Sequence, residues 1–201
     1  PSQNTPASDR LVRMTTVFCC SQCIGGAARL NSAQHLRDGA KPAEELARPT
    51  GPAPSALFRV LRAAASVGVC QLSADDRFSL TPLGETLRSG IPGSMREMAI
   101  MQTSKGHWLP WGKLEDAVRT GQPQAVATLG CELFEHYATS PEEAAAFSGA
   151  MGNLSALVAS EVAAHVDTSG LPRARGRGGP GGPPTQAPLA TRHPRPGPRR
   201  G

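Results

Sequence analysis

No stretch of this 201-residue chain reaches the roughly 18 consecutive apolar residues that a bilayer-spanning helix requires. The N-terminal PSQNTPASDRLVRMTTVFCC also lacks the long apolar centre of a secretory signal, so a soluble, cytoplasmic protein with no membrane partner is expected. Cysteine does not come in pairs. The five, Cys19, Cys20, Cys23, Cys70 and Cys131, suit reduced thiols better than a disulfide framework. Cys20 and Cys23 have C-x-x-C spacing, but no second close Cys/Cys or Cys/His pair follows to complete the four ligands of structural zinc. No metal is expected there, and the reading is of small buried cysteines on a closely packed helix.

Acidic residues are missing altogether from residues 171 to 201, which hold seven Arg, eight Pro and seven Gly. The body, residues 1 to 170, carries 14 basic against 16 acidic side chains, so the formal net charge of +5 belongs to the tail alone. With almost no large apolar side chains, residues 169 to 201 cannot bury enough surface to offset the entropy of ordering, and a disordered tail is expected. That tail also lacks aromatic rings to stack on bases, which leaves weak, salt-sensitive nucleic-acid contact at most.

What is present reads as helical with one small β element. Residues 1 to 10 are taken as a flexible N-terminus and 11 to 168 as one domain. LVRMTTVFCCSQCIGGAARL places Leu11, Met14, Val17, Phe18, Ile24 and Leu30 at spacings that suit a helix apolar on more than one face, which a partner would cover. The Gly25-Gly26 pair either admits another backbone or breaks that helix. KPAEELARPTG reads as a short helix with Pro42 early and Gly51 closing it. PAPSALFRVLRAAASVGVC is a second helix, with Ser55 as its cap and Leu57, Val60, Leu61, Ala64 and Val67 on one stripe. VCQLSADDRFSLT then makes a hairpin turning at Asp75-Asp76, and Thr81-Pro82 opens the next helix. Two helices at a tight turn followed by a two-stranded wing make a winged helix-turn-helix, so the fold class is mainly α with additional helices.

SMREMAIMQTSKGHWLPWGKLEDAVRTG reads as two helical segments broken at Gly106 and Pro110. SPEEAAAFSGAMGNLSALVASEVAAHVD is the clearest helix: Ser140 caps it, Pro141 is its first residue, and Glu142 and Glu143 sit at the positive end of its dipole. Phe147, Met151, Leu154, Leu157 or Val158, and Val162 form its apolar stripe.

The order of KPAEELARPTG, LFRVLRAAASVGV, FSLTPLGETLRSG, WLPWGKLEDAVRTG and SPEEAAAFSGAM resembles the small-molecule O-methyltransferases that carry an N-terminal winged-helix dimerisation domain and use S-adenosylmethionine. The resemblance covers residues 15 to 168 and includes no catalytic signature. It implies a homodimer and a small aromatic or polyketide-like acceptor, with Trp108 to Met151 lining the acceptor pocket. Met101, Trp108, Trp111, Phe134, Phe147 and Met151 are the candidate lining residues, since rings and a flexible thioether suit flat apolar ligands. Packing as core residues is the competing account of all six.

In that family the helix matching residues 142 to 165 leads into a Rossmann-like domain that holds the cofactor and a catalytic histidine. Here GLPRARGRGG stands in that place. His193, in its Pro/Arg surroundings, does not supply the base, so no catalytic or cofactor-binding residue is assigned and inactivity alone is expected. Shifting the frame at Gly170 lets the codons of Arg175 to Gly179 encode Val-Asp-Val-Gly-Gly, which resembles the missing strand and turn. A frameshift, a natural disordered tail and an artefact all account for residues 169 to 201.

Two further readings compete. His107, His136 and Glu135 suggest acid-base chemistry, but no third group at a recognisable spacing orients either imidazole, and solvated or helix-end histidines are expected. A winged-helix transcriptional regulator would use Arg59, Arg62 and Arg77 on phosphates, but three arginines on an acidic body are few for tight DNA binding.

Overall fold

The computed structural model describes residues 6 to 165. The expectations for the tail, its frame and residues 1 to 5 concern residues outside that range. The described residues up to Ser160 belong to one compact unit.

The first helix, α1 (Ala7–Arg29), starts four residues ahead of the expected position and runs unbroken through Gly25-Gly26. Its glycines therefore serve approach, not interruption: a Cβ on Gly25 would overlap the Thr103 side chain of α6 (Arg96–Gln102, with Thr103 its C-cap). Only the C-terminal part of α1 is covered. Leu11, Val12, Met14, Val17 and Phe18 stay 55 to 71% exposed, and among the described residues none buries them as a core would. Cys19 is exposed while Cys20 and Cys23 are half-buried, which corrects the expectation of buried thiols. Cys70 is the buried one; burial pushes its thiol up to about 11.

After α2 (Ser32–His35), the winged motif consists of β1 (Lys41–Pro42), α3 (Ala43–Thr50), α4 (Pro54–Ser66), β2 (Cys70–Leu72), β3 (Arg77–Leu80) and α5 (Pro82–Glu85). The fold class is as expected, with one addition: the wing has three antiparallel strands in the order β1-β3-β2. Pro42 does not begin a helix but pairs with Arg77 on the sheet edge, where a missing N–H is tolerated, and also flanks α3 as its N-cap residue. The hairpin registers Cys70 with Leu80 and Leu72 with Phe78, and Asp76 takes the turn with φ 58°. Pro54, not a Ser55 cap, begins α4. The Thr81 side chain accepts from the Gly84 amide and caps α5, as its Thr-Pro sequence implies. Leu46, Leu57, Leu61 and Phe78 are buried to within 2% exposure and centre this core, and Phe58 meets Phe78 edge-on at 5.3 Å.

A second cluster joins α6 to the long helix α11 (Pro141–His165) through Met101, Ala146 and Ala150, with Met98, Phe147 and Met151 against them. Asn153 Nδ2 donates to the Ser94 carbonyl at 2.6 Å along the same seam. Between them lie α7 (Lys105–Trp111), α8 (Leu114–Thr120), α9 (Ala125–Leu129) and α10 (Leu133–Thr139). Gly106 and Pro110 fall inside α7 and do not break it; the interruptions come at Thr103-Ser104 and Gly112-Lys113. Gly106 stands in the first turn, where its amide has no intrahelical acceptor and donates to Glu143, while Pro110 stands in the last turn of this seven-residue helix. The stripe on α11 is only partly buried: Leu154, Leu157, Val158 and Val162 are 43 to 54% exposed.

Candidate functional site

α7, α10 and the start of α11 converge because Gly106 has no side chain. Glu143, in the first turn of α11, accepts the Gly106 backbone N–H at 3.0 Å. A Cβ on Gly106 would press to 3.1 to 3.3 Å against Leu133, Glu143 and His136. The same Glu143 oxygen lies 3.2 Å from His136 Nε2, with both side chains largely buried. His136 Nε2 makes no well-directed hydrogen bond, so the contact with Glu143 is one of proximity.

One position along, the Tyr137 hydroxyl lies 3.0 Å from His107 Nδ1. Tyr137 is 7% exposed. Burial pushes the Tyr137 phenol up, and the Glu143 carboxylate pushes it further. Burial holds the His107 imidazole below its ordinary value, partly opposed by Glu143. Both effects favour the neutral forms of the pair, with one hydrogen bond shared between the phenol and Nδ1.

Rings surround this polar pair. Tyr137 and Phe147 stand 5.0 Å apart, and Phe134 meets both edge-on at 6.2 and 6.1 Å. His107 lies 6.3 Å from Phe147. Phe134 is 73% exposed, so the cluster presents an aromatic edge to its surroundings. The result is an aromatic cluster exposed mainly at Phe134, with one imidazole and one phenol behind it, suited to an aromatic ligand with a polar substituent.

The six candidate residues fall into three places. Met101 and Met151 lie in the α6–α11 cluster, which Phe147 joins to the rings of Phe134 and Tyr137. Trp108 and Trp111 instead line an open groove of about 600 Å³ with Phe18, Ser21, Gln102 and Leu109. The histidines are partly buried, not solvated, and His136 stands in the last turn of α10, the helix-end place that was the other expectation. Tyr137 and Glu143 were missed: their partners lie across helix junctions, and no spacing within one helix announces either contact. Glu135 serves locally, its side chain accepting from the Glu132 backbone N–H in a capping box at the start of α10. In the wing, Arg77 donates to the Ala40 carbonyl at 2.8 Å. Among the described residues, no group of three or more His, Cys, Asp or Glu side chains is placed to hold a metal ion. No described helix is long and apolar enough to cross a membrane.

The chain matches the model of the O-methyltransferase domain over residues 111–194. It is similar to the phenazine O-methyltransferase PhzM of Lysobacter antibioticus, 36% identical over 164 residues, which are 82% of this chain and 48% of that protein. Its fold is similar to the crystal structure of LaPhzM, with TM-score 0.77 and 35% identity over 82% of this chain and 49% of the other. It also resembles CalO1, a methyltransferase in calicheamicin biosynthesis solved in its SAH-bound form, with TM-score 0.65 and 29% identity over 74% and 44%. The chain spans about half the length of the curated relatives it matches.

Proposed function

This chain belongs to the O-methyltransferase family, and from that premise we propose that residues 6 to 165 form its dimerising and acceptor-binding part. The observation that carries the reading is the cluster of Phe134, Phe147 and Tyr137 with His107, where aromatic rings meet a polar pair. The acceptor would be a small planar molecule of the kind the phenazine relative's name states, lying on the rings with a substituent toward His107. Met101 and Met151 support that wall from behind, and Trp108 and Trp111 flank it across the α1 groove. The uncovered apolar side of α1 is the surface a second copy would cover.

The methyl donor implied by the family is S-adenosylmethionine, and none of the described residues is assigned to it. The three described strands all belong to the wing, and none leads through a glycine-rich turn into a phosphate- or ribose-binding helix. The chain alone is accordingly proposed to bind acceptor without transferring a methyl group.

Calorimetry tests both halves. A hydroxyphenazine should bind with a weakened affinity in Phe134→Ala and His107→Leu, while S-adenosylmethionine should give no heat of binding. Micromolar cofactor binding would remove the second claim; equal acceptor binding by both variants would remove the first. DNA binding stays the weaker reading, because Arg77 is engaged with Ala40 and the body is acidic.

A further inference from the structure

Cys19, Cys20 and Cys23 gather three soft, nucleophilic side chains on one stretch of α1, away from the aromatic site. At 3.6 residues per turn, Cys23 stands about 40° around the helix from Cys19 and about 60° from Cys20, one turn further on. Side chains on a helix lean toward its N-terminus, so the Cys23 thiol leans over the turn that carries the other two. Residues three and four apart are neighbours, with Cβ atoms about 5–6 Å apart, whereas adjacent residues diverge by about 100° and do not face each other. Cys23 can thus pair with either thiol, but Cys19 and Cys20 cannot pair with one another. Burial raises the Cys23 thiol's pKa, and the Cys20 and Cys19 thiols raise it further, as close neighbours must.

The chemistry open to such a cluster is narrow. No described group offers the three or more ligands that a zinc-like ion takes, but two thiol sulfurs suffice for a soft, thiophilic centre. Leu11, Met14, Val17 and Phe18 occupy an arc of about 120° on the other side of α1, so the thiol face and the main apolar face are separate. Cys19 is exposed, which leaves an entry point for a small ligand.

We propose that Cys23, with either Cys19 or Cys20 as the second sulfur, forms a dithiol site for trivalent arsenicals. With a monosubstituted arsenic oxide, two As–S bonds form and the As=O bond breaks. The oxygen leaves as water with the two thiol protons, and arsenic stays trivalent. Once one sulfur is attached, the second attack is intramolecular, so the chelate outlasts any single-thiol adduct.

The test uses the full chain with phenylarsine oxide in excess glutathione, read by intact-protein mass spectrometry, free-thiol titration and circular dichroism. One arsenical per chain is expected, with the free-thiol count falling by two. Cys19→Ser and Cys20→Ser should each keep the glutathione-resistant adduct, as should Cys70→Ser and Cys131→Ser. Cys23→Ser should lose it with its helical spectrum unchanged. The double variant C19S/C20S should lose it too, although it retains Cys23. Absence of a glutathione-resistant adduct in the unsubstituted chain overturns the proposal, as does its retention in Cys23→Ser.

Discussion

The carboxylate of Glu143 accepts the backbone N–H of Gly106 at 3.0 Å, which ties the first turn of α11 to the first turn of α7. The same oxygen faces His136 on α10, so one side chain fixes the meeting point of three helices that carry the aromatic cluster. Glutamate in a first helical turn ordinarily complements the helix dipole; here it also satisfies a donor on another helix.

Glu143→Ala leaves the buried Gly106 amide without its acceptor and is expected to lower unfolding free energy by about 1–3 kcal/mol. Glu143→Gln keeps a carbonyl acceptor and should cost less. Urea denaturation of the two variants side by side checks the order.

Burial holds the folded-state His107 imidazole below the ordinary 6.5, with Glu143 working in the opposite direction. The unfolded chain therefore binds that proton more readily. His107's contribution to stability is complete above pH 6.5 and is lost as pH falls through its folded-state value. In an NMR titration the His107 midpoint should lie below 6.5 and move further down in Glu143→Gln, which removes the opposing charge. A midpoint unchanged by that substitution would contradict the arrangement.

Gly84 and Gly25 are places where the chain passes too close for a side chain. A Cβ on Gly84 would overlap the Val69 backbone carbonyl, which cannot rotate away, and one on Gly25 would overlap the Thr103 side chain. Each change to Ala is expected to destabilise by about 1–3 kcal/mol, as overpacking does. Adding Thr103→Ala should recover part of the Gly25→Ala loss and none of the Gly84→Ala loss. Thermal melts of the single and double variants decide this.

Met101 is 3% exposed and Phe134 73% exposed, so the two candidate acceptor residues should part company. Met101→Ala should cost about 2–5 kcal/mol of stability through the cavity it leaves. Phe134→Ala should change stability by no more than about 0.5 kcal/mol. If acceptor binding responds to Phe134→Ala at unchanged stability, the ring contacts ligand and is not there for the core.

Phe18 projects from α1 at 55% exposure into the groove lined by Trp108 and Trp111. A charge at that position would be desolvated in a dimer and hydrated in a monomer. If the proposed dimer forms through this face, Phe18→Asp shifts sedimentation velocity from dimer to monomer while leaving the circular dichroism spectrum intact.

Much of the winged motif was legible because its signals are local. Thr81-Pro82 opens a helix and Asp75-Asp76 turns a hairpin through groups within a few residues of each other. β1 was not legible: Lys41 and Pro42 pair with Phe78 and Arg77 from a distant part of the chain, and a two-residue strand has no periodicity of its own. Gly106 and Pro110 look like breakers in sequence, yet both lie inside α7, Gly106 with its amide bonded to Glu143 and Pro110 in the last turn.

For the six candidate site residues, composition and helical spacing named rings and thioethers on several helices but could not say which would share a surface. Phe134 and Phe147 meet, while Trp108 and Trp111 turn to the α1 groove. By itself, the sequence determined the helical character, the wing, the family likeness and the uneven charge, all properties of neighbouring residues or of totals. The tertiary structure alone decided that Tyr137 would hold His107 and that Glu143 would hold Gly106. Those contacts depend on where three helices cross, and crossing is set by packed volume and the absent side chain of one glycine, not by any repeat along the chain.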